Sequence, residues 1–294
     1  MLSDFAGRPD LWLKREDVHE LGAFKWRSTL PVVAELVAEG HGAVVTSSTG
    51  NHGAAVAWAC RRLGMNAIVF VPPSTNEPKL ALLERLGADV RTAGHDLDEA
   101  KEVARTFAIE QRLRFFEDGA EPLQYDAYGA IGDEIVEQSP SLPRAVVTPV
   151  GNGALAGGVG AAIGRRAPGT VRVGVVAGAM PVMAASHDAG EVVDVSAGAT
   201  IADGLAVRVA IPLAVERLST AVDLMVRVSE RSIAKALVAC HDAGVRVEPS
   251  AAAALAGIRE SPGVAVDGPI VLVMTGRNLD PAVVARAHHD LDSF

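Results

Sequence analysis

The chain has 294 residues, 49% hydrophobic and 21% charged, a balance that suits a protein with a sizeable core and a length that suits about two domain-sized units. Acidic side chains outnumber basic ones 36 to 27, the net charge is -9, and no Lys/Arg block or basic-aromatic interleaving occurs, so neither nucleic acid nor an anionic membrane is an expected partner. Cys60 and Cys240 lie far apart within amphipathic helical patterns and read as small core residues, not as metal ligands or a disulfide. Met1 to Asp10 carries two acids and no apolar leader core, which makes the cytoplasm the expected compartment. The longest uncharged run, Ala145 to Gly164, approaches a membrane span in length, but Pro149, Asn152 and six glycines make strand–loop–helix the better description.

Strand and helix patterns alternate along the chain. Leu11 to Lys14 predicts a short strand, and Leu30 to Val37 an apolar helical run. Ala43 to Thr46 is a strand ending in SSTGNHG (Ser47 to Gly53), with a helix over Ala54 to Leu63. Ala67 to Val71 is a strand stopped by Pro72 and Pro73; Glu77 to Leu86 is a helix with Gly87 just past its end. Ala88 to Thr92, Arg114 to Phe116, Ala145 to Val150, Val171 to Val176, Leu224 to Val228, Val245 to Val247 and Ile270 to Met274 read as extended. Helices are expected over Leu97 to Gln111, Tyr128 to Gln138, Leu213 to Leu218, Ile233 to Ala243 and Ala251 to Ile258. Such alternation indicates βαβ units and mostly parallel sheet. With no repeat and no Pro/Ser-rich linker, a second domain is expected as an insertion into the first. In such sheets ligands collect beyond the carboxyl ends of strands, which directs attention to SSTGNHG, GNGALAGG (Gly151 to Gly158) and TGRN (Thr275 to Asn278).

Consecutive backbone N–H groups at the helix start in GNGALAGG suit a phosphate; equally, the glycines permit close strand–helix packing. Gly151, Gly153 and Ala156 match the dinucleotide fingerprint, but the following strand ends Val176-Ala177-Gly178 without the acid that a ribose requires. SSTGNHG sets three hydroxyls, an amide and an imidazole at another helix start, suited to a carboxylate or, more simply, to helix capping. Only five basic residues are Lys (Lys14, Lys25, Lys79, Lys101, Lys235), and Lys25 stands between Phe24 and Trp26. Aromatic neighbours that exclude water would favour the free amine needed for a Schiff base, whereas a snorkelling stem needs no chemistry at all.

In order, WLKRED (Trp12 to Asp17), LGAFKWR, SSTGNHG, VPPSTNEPKLALLERLGADV, TPVGNGALAGG, TIADGLAV (Thr200 to Val207), VEPSAAAALAG (Val247 to Gly257) and TGRN resemble the fold-type II pyridoxal-phosphate enzymes, in their serine/threonine dehydratase and serine racemase branch. The resemblance implies an α/β fold of two domains, each a mostly parallel twisted sheet flanked by helices, with the cofactor in the cleft between them. Residues 1–45 plus 125–294 would form the large domain and 46–124 the small inserted one. Lys25 would bind pyridoxal 5'-phosphate through a Schiff base, and Asn51 would contact the ring hydroxyl. Gly151, Asn152, Gly153, Ala154 and Leu155 would cradle the phosphate, Gly204 and Glu248 would border the ring, and Thr275 would face the pyridine nitrogen. Ser48, Thr49, Gly50, Asn51 and His52 would line the pocket for the substrate carboxylate, with Thr49 as a second catalytic group where racemases have Ser.

The chain departs from the family at Ala23, where Ser is usual, and at Asn152 and Ala154, which interrupt a Gly-rich tetrad; Ala154 is expected in an ordinary conformation. Ala177 replaces a cation-binding Glu, so no metal site is expected. The implied activity is β-elimination from a β-hydroxy α-amino acid such as serine or threonine, giving a 2-oxo acid and ammonia. The alternatives are β-replacement of the cysteine-synthase kind and racemisation. A non-catalytic binding protein and a dinucleotide-dependent oxidoreductase are the competing classes. A small amino-acid substrate and, from relatives, a homodimer complete the expectation.

Overall fold

The computed structural model describes residues 2–5, 8–261 and 268–294. In chain order the elements are β1 (Leu2–Phe5), β2 (Arg8–Arg15), α1 (Trp26–Ala38), β3 (Ala43–Ser47), α2 (Asn51–Leu63), β4 (Asn66–Val71), α3 (Glu77–Arg85), β5 (Asp89–Thr92), α4 (Leu97–Glu110), β6 (Arg114–Phe115) and α5 (Pro122–Gln138). They continue with β7 (Ala145–Pro149), α6 (Ala154–Arg166), β8 (Val171–Ala177), α7 (Val182–Ala189), α8 (Pro212–Ala221), β9 (Leu224–Val228), α9 (Glu230–Asp242), α10 (Pro249–Glu260), β10 (Ile270–Met274) and α11 (Pro281–His289). The chain divides into two compact units, Met1–Phe24 with Tyr128–Phe294, and Lys25–Ala127.

The larger unit holds a six-stranded sheet in the order β1-β2-β10-β7-β8-β9. All its pairings are parallel except β1 on β2. Near-continuous apolar strands such as IVLVM (Ile270–Met274) are what a sheet covered on both faces requires. Leu13, Val147, Val173, Val175 and Leu272 bury in one core with Ile233 and Leu237 of α9 and the alanines of α10. The smaller unit holds a wholly parallel sheet in the order β5-β4-β3-β6. The α/β fold with two mostly parallel, helix-flanked sheets is therefore the one expected.

The unit boundaries differ from those expected. The smaller unit takes in α1 and all of β3, so the first boundary lies at Phe24/Lys25 and not at residue 45, and the return at Ala127 falls inside α5. The reason is packing: Val32, Val33 and Leu36 of α1 share a core with Val44 of β3 and Ala54, Val56 and Cys60 of α2, so α1 belongs with that sheet.

Helix starts account for most remaining differences. Helix α1 opens at Trp26 and α5 at Pro122, earlier than their apolar runs begin. Helix α11 was not anticipated, although Asp280 caps it by accepting from the Ala282 N–H (2.9 Å) and Pro281 stands at its first position. Strand β1 and helix α7 were likewise not anticipated. Val245 to Val247 joins no sheet and connects α9 to α10, with the Val247 carbonyl 3.1 Å from His241 Nε2. Both cysteines are buried and unbridged, and burial pushes each thiol up to about 12, as core residues require. Among the described residues, no helix is long and apolar enough to cross a membrane.

Helix α6 lies close enough to the end of α8 that a Cβ on Gly160 would collide with the backbone carbonyl of Ala221. Gly160→Ala is therefore expected to destabilise the protein by about 1–3 kcal/mol despite its better helix propensity, as read from urea unfolding midpoints.

Candidate active site

Parallel strands deliver their loops to one edge of a sheet, and Ser48 to Gly50, Gly151 to Gly153 and Thr275 follow the ends of β3, β7 and β10, while Gly204 and Glu248 lie in connections between helices. In the smaller unit, Lys25 occupies the position just before α1, and its ammonium pairs with Asp118 Oδ2 in the turn after β6. The two side chains are 14% and 23% exposed. The other carboxylate oxygen accepts from Gln124 Nε2 (3.1 Å) and stands 3.6 Å from His52 Nδ1. Gln124 Oε1 accepts the Gly119 N–H (2.7 Å), and the Tyr125 hydroxyl donates to the Gly119 carbonyl (2.8 Å), which fixes the turn carrying Asp118. Burial alone would raise the Asp118 carboxyl. The Lys25 ammonium, with His52 and the hydrogen bonds from Lys25 and Gln124, outweighs burial and holds it well below the usual carboxylate range.

The group paired with the amine is thus a carboxylate. Phe24 stacks on Tyr128 with ring centroids 5.1 Å apart, and Trp26 meets Trp58 edge-on at 6.5 Å. Asp118 was missed because it lies 93 residues from Lys25. Its one signal was position: an acid three residues after a short strand, in a loop that the strand-end rule also covers.

His52 is 5% exposed and packs edge-on against Phe116 at 4.9 Å. Burial pushes its imidazole below the ordinary value; Asp118 opposes that shift and Lys25 reinforces it. Ser48, Thr49 and Gly50 occupy the β3–α2 connection before His52, and Asn51 is the first residue of α2. No side chain caps α2: its capping residue is Gly50, whose N–H donates to Ser48 Oγ (3.2 Å). The buried Ser47 Oγ has no hydrogen-bond partner among the described residues. Simple capping therefore does not explain the hydroxyls.

In the larger unit, Gly151, Asn152 and Gly153 lead from β7 into α6, whose first residues are Ala154 and Leu155. Gly153 has φ +94°, and a side chain there would press on Leu218 and Met183; one on Gly151 would strike the Gly204 carbonyl. These two glycines thus serve close packing as well as an open row of N–H groups. Asn152 Oδ1 accepts the Ala154 N–H (3.1 Å), and Ala154 is helical, as expected. The Gly204 N–H donates to Ser250 Oγ (2.9 Å), in the first turn of α10, and Glu248 precedes that helix. The Glu248 N–H donates to the Gly276 carbonyl (2.9 Å), and a Cβ on Gly276 would lie 2.7 Å from Glu248 Oε1. Thr275, at the end of β10, is 3% exposed, and its Oγ1 has no hydrogen-bond partner among the described residues. Its carbonyl accepts the Phe24 N–H (3.0 Å). Gly151, Gly204, Glu248 and Thr275 are thereby linked within one unit, and Lys25, His52 and Asp118 within the other.

Residues 1–276 match the family of pyridoxal-phosphate-dependent enzymes, and the chain belongs to that family, of fold-type II. It is 31% identical over 280 residues to the L-threonine ammonia-lyase of Geobacter sulfurreducens, covering 94% of this chain and 69% of that protein. It is 33% identical over 289 residues to the L-threonine ammonia-lyase of Thermotoga maritima, covering 97% and 71%. Among solved structures, the processed form of threonine deaminase isoform 2 from Solanum lycopersicum superposes with a TM-score of 0.89 at 29% identity, over 97% of this chain and 83% of that one. The cofactor is pyridoxal phosphate. The residues present fit it: in one unit a primary amine in a partly exposed ion pair, and in the other a buried Thr275 hydroxyl without a hydrogen-bond partner among the described residues and a glycine-lined helix start.

The His52 ring titrates below 6.5 in the folded chain, so the unfolded chain binds more protons below that value. Its contribution to stability is complete above 6.5 and lost as the pH falls through the folded-state value; the depressed Asp118 acts in the same direction at lower pH. His52→Gln is expected to lose less stability than the native chain between about pH 7.5 and about pH 5, as read from urea midpoints at the two pH values.

Proposed function

We propose that this enzyme is an ammonia-lyase that eliminates the β-hydroxyl of a serine- or threonine-type amino acid. A 2-oxo acid and ammonia result, with one water lost at elimination and one consumed at hydrolysis. When bound, pyridoxal phosphate supplies the electron sink that acidifies the substrate Cα–H. Lys25 Nζ binds the cofactor and later takes the proton from Cα. Ser48, Thr49, Gly50, Asn51 and His52 bind the substrate carboxylate through N–H groups and hydroxyls at the start of α2, where the helix dipole favours an anion. The N–H groups from Gly151 to Leu155 hold the phosphate, and Gly204 and Glu248 border the ring.

Thr275 carries the choice of elimination. A buried neutral hydroxyl, without a hydrogen-bond partner among the described residues, would face the pyridine nitrogen without the full charge of a carboxylate, which would leave the ring a moderate electron sink. A moderate sink suits expulsion of a β-substituent better than chemistry needing a long-lived carbanion. The relatives named L-threonine ammonia-lyase support the same substrate class. We further infer a cytoplasmic homodimer: the unbridged buried cysteines support a reducing compartment, and the family resemblance supports the dimer, which light scattering checks.

The test is keto acid release from serine, threonine and other β-substituted amino acids, with Lys25→Ala as the blank. Release without added thiol, reduced about a thousandfold or more in the blank, is expected. Product formed only when a thiol is supplied would reject elimination in favour of β-replacement, and inversion at Cα without keto acid would favour a racemase using Thr49. Thr275→Val is expected to weaken cofactor binding about tenfold while Thr275→Ser retains it, measured by titration of the visible chromophore.

A further inference from the structure

His52 and Asp118 face each other in an arrangement short of one proton. The Thr46 hydroxyl spends its single hydrogen on the Phe116 carbonyl (2.8 Å), so its contact with His52 Nε2 (3.2 Å) requires that Nε2 carry the ring hydrogen. In the neutral ring Nδ1 is then a bare acceptor. It is buried, has no hydrogen-bond partner among the described residues, and stands 3.6 Å from Asp118 Oδ1, which when ionised is also only an acceptor. Two lone pairs oppose each other across that gap. A proton on Nδ1 would turn the contact into a charge-assisted hydrogen bond. What works against the proton is burial of the ring and the positive charge of Lys25 on the other carboxylate oxygen.

The remaining charged groups nearby are on α4, where Lys101 and Arg105 both pair with Glu117 and so are directed at a different carboxylate. From α5, Gln124 contributes a neutral donor. Burial weighs most against a proton on His52; Lys25 opposes it more strongly than Lys101 does, and Lys25 is the cation paired with Asp118 itself.

The geometry points to Asp118 as a positioning residue that serves two partners in turn: it pairs with the Lys25 ammonium while that amine is free, and with a protonated His52 once the amine is covalently engaged. The second pairing takes one proton from solvent onto His52 Nδ1; no bond to carbon forms or breaks. The consequence for the reaction is that the carboxylate stays compensated throughout, and that Lys25 Nζ, each time it is released, finds a partner that holds it in place. This inference rests on the lyase reading only in assuming that Lys25 is the residue engaged by the cofactor.

The test follows the His52 ring C–H resonance against pH in the full chain, assigned with His52→Gln. Relative to the cofactor-free native chain, both Lys25→Ala and the native chain saturated with pyridoxal phosphate are expected to raise the His52 midpoint by about one pH unit or more. In Asp118→Asn, saturation is expected to leave the midpoint unchanged, and Asp118→Glu is expected to restore most of the rise. An equal midpoint in the native, saturated and Lys25→Ala chains would overturn the inference, as would the same rise in Asp118→Asn as in the native chain. Should Asp118→Asn fail to fold, the comparison of native and Lys25→Ala chains still decides. Because the resonance needs no turnover, absence of keto acid with an intact His52 response would reject the lyase reading alone.

Discussion

A buried polar atom without a partner costs about 1–3 kcal/mol, so a fold keeps few of them. Among the described residues, Ser47 Oγ, His52 Nδ1 and Thr275 Oγ1 are such atoms at or just beyond the carboxyl ends of parallel strands, whereas His187 Nδ1 and Glu230 Oε1 lie on helices of the larger unit. Parallel pairing accounts for the first three: each crossover returns the chain to the same starting edge, so the parallel strands release their loops at the opposite one.

The Lys25–Asp118 pair is the electrostatic centre of the smaller unit's edge. Both groups are partly shielded from water, so the pair is stronger than a surface ion pair yet does not carry the full desolvation penalty of a deep one. Such a pair can be broken by chemistry that engages the amine, because the carboxylate retains other contacts, to Gln124 and near His52. A lysine locked in a deep cluster would be a poor nucleophile. Lys14, fully buried with Glu16 and Glu134 around it, is that contrasting case in the same chain.

Strands were legible where the apolar run was β-branched and bounded by turn residues, as in Leu224–Val228 and Ile270–Met274, whose limits match the expectation. Helix starts were legible less often. Aromatic or proline residues in the first turn, at Trp26 and Pro122, do not extend the apolar period that announces a helix. The unit boundary was displaced for a related reason: α1 precedes β3 in sequence, but its apolar face is sorted by what it packs on, and Lys25 goes with it into the smaller unit. Contiguous motifs in the candidate site could be read directly, since a glycine loop or a hydroxyl cluster is local. Asp118 could not, because what brings it to Lys25 is the sheet order, which places β6 beside β3.

The central claim is that Lys25 is the covalent attachment point of the cofactor. Borohydride reduction of the loaded protein followed by peptide mapping tests it most directly. The account predicts a pyridoxyl group on the peptide containing Lys25; label on Lys14, Lys79, Lys101 or Lys235, or on no lysine, would contradict it.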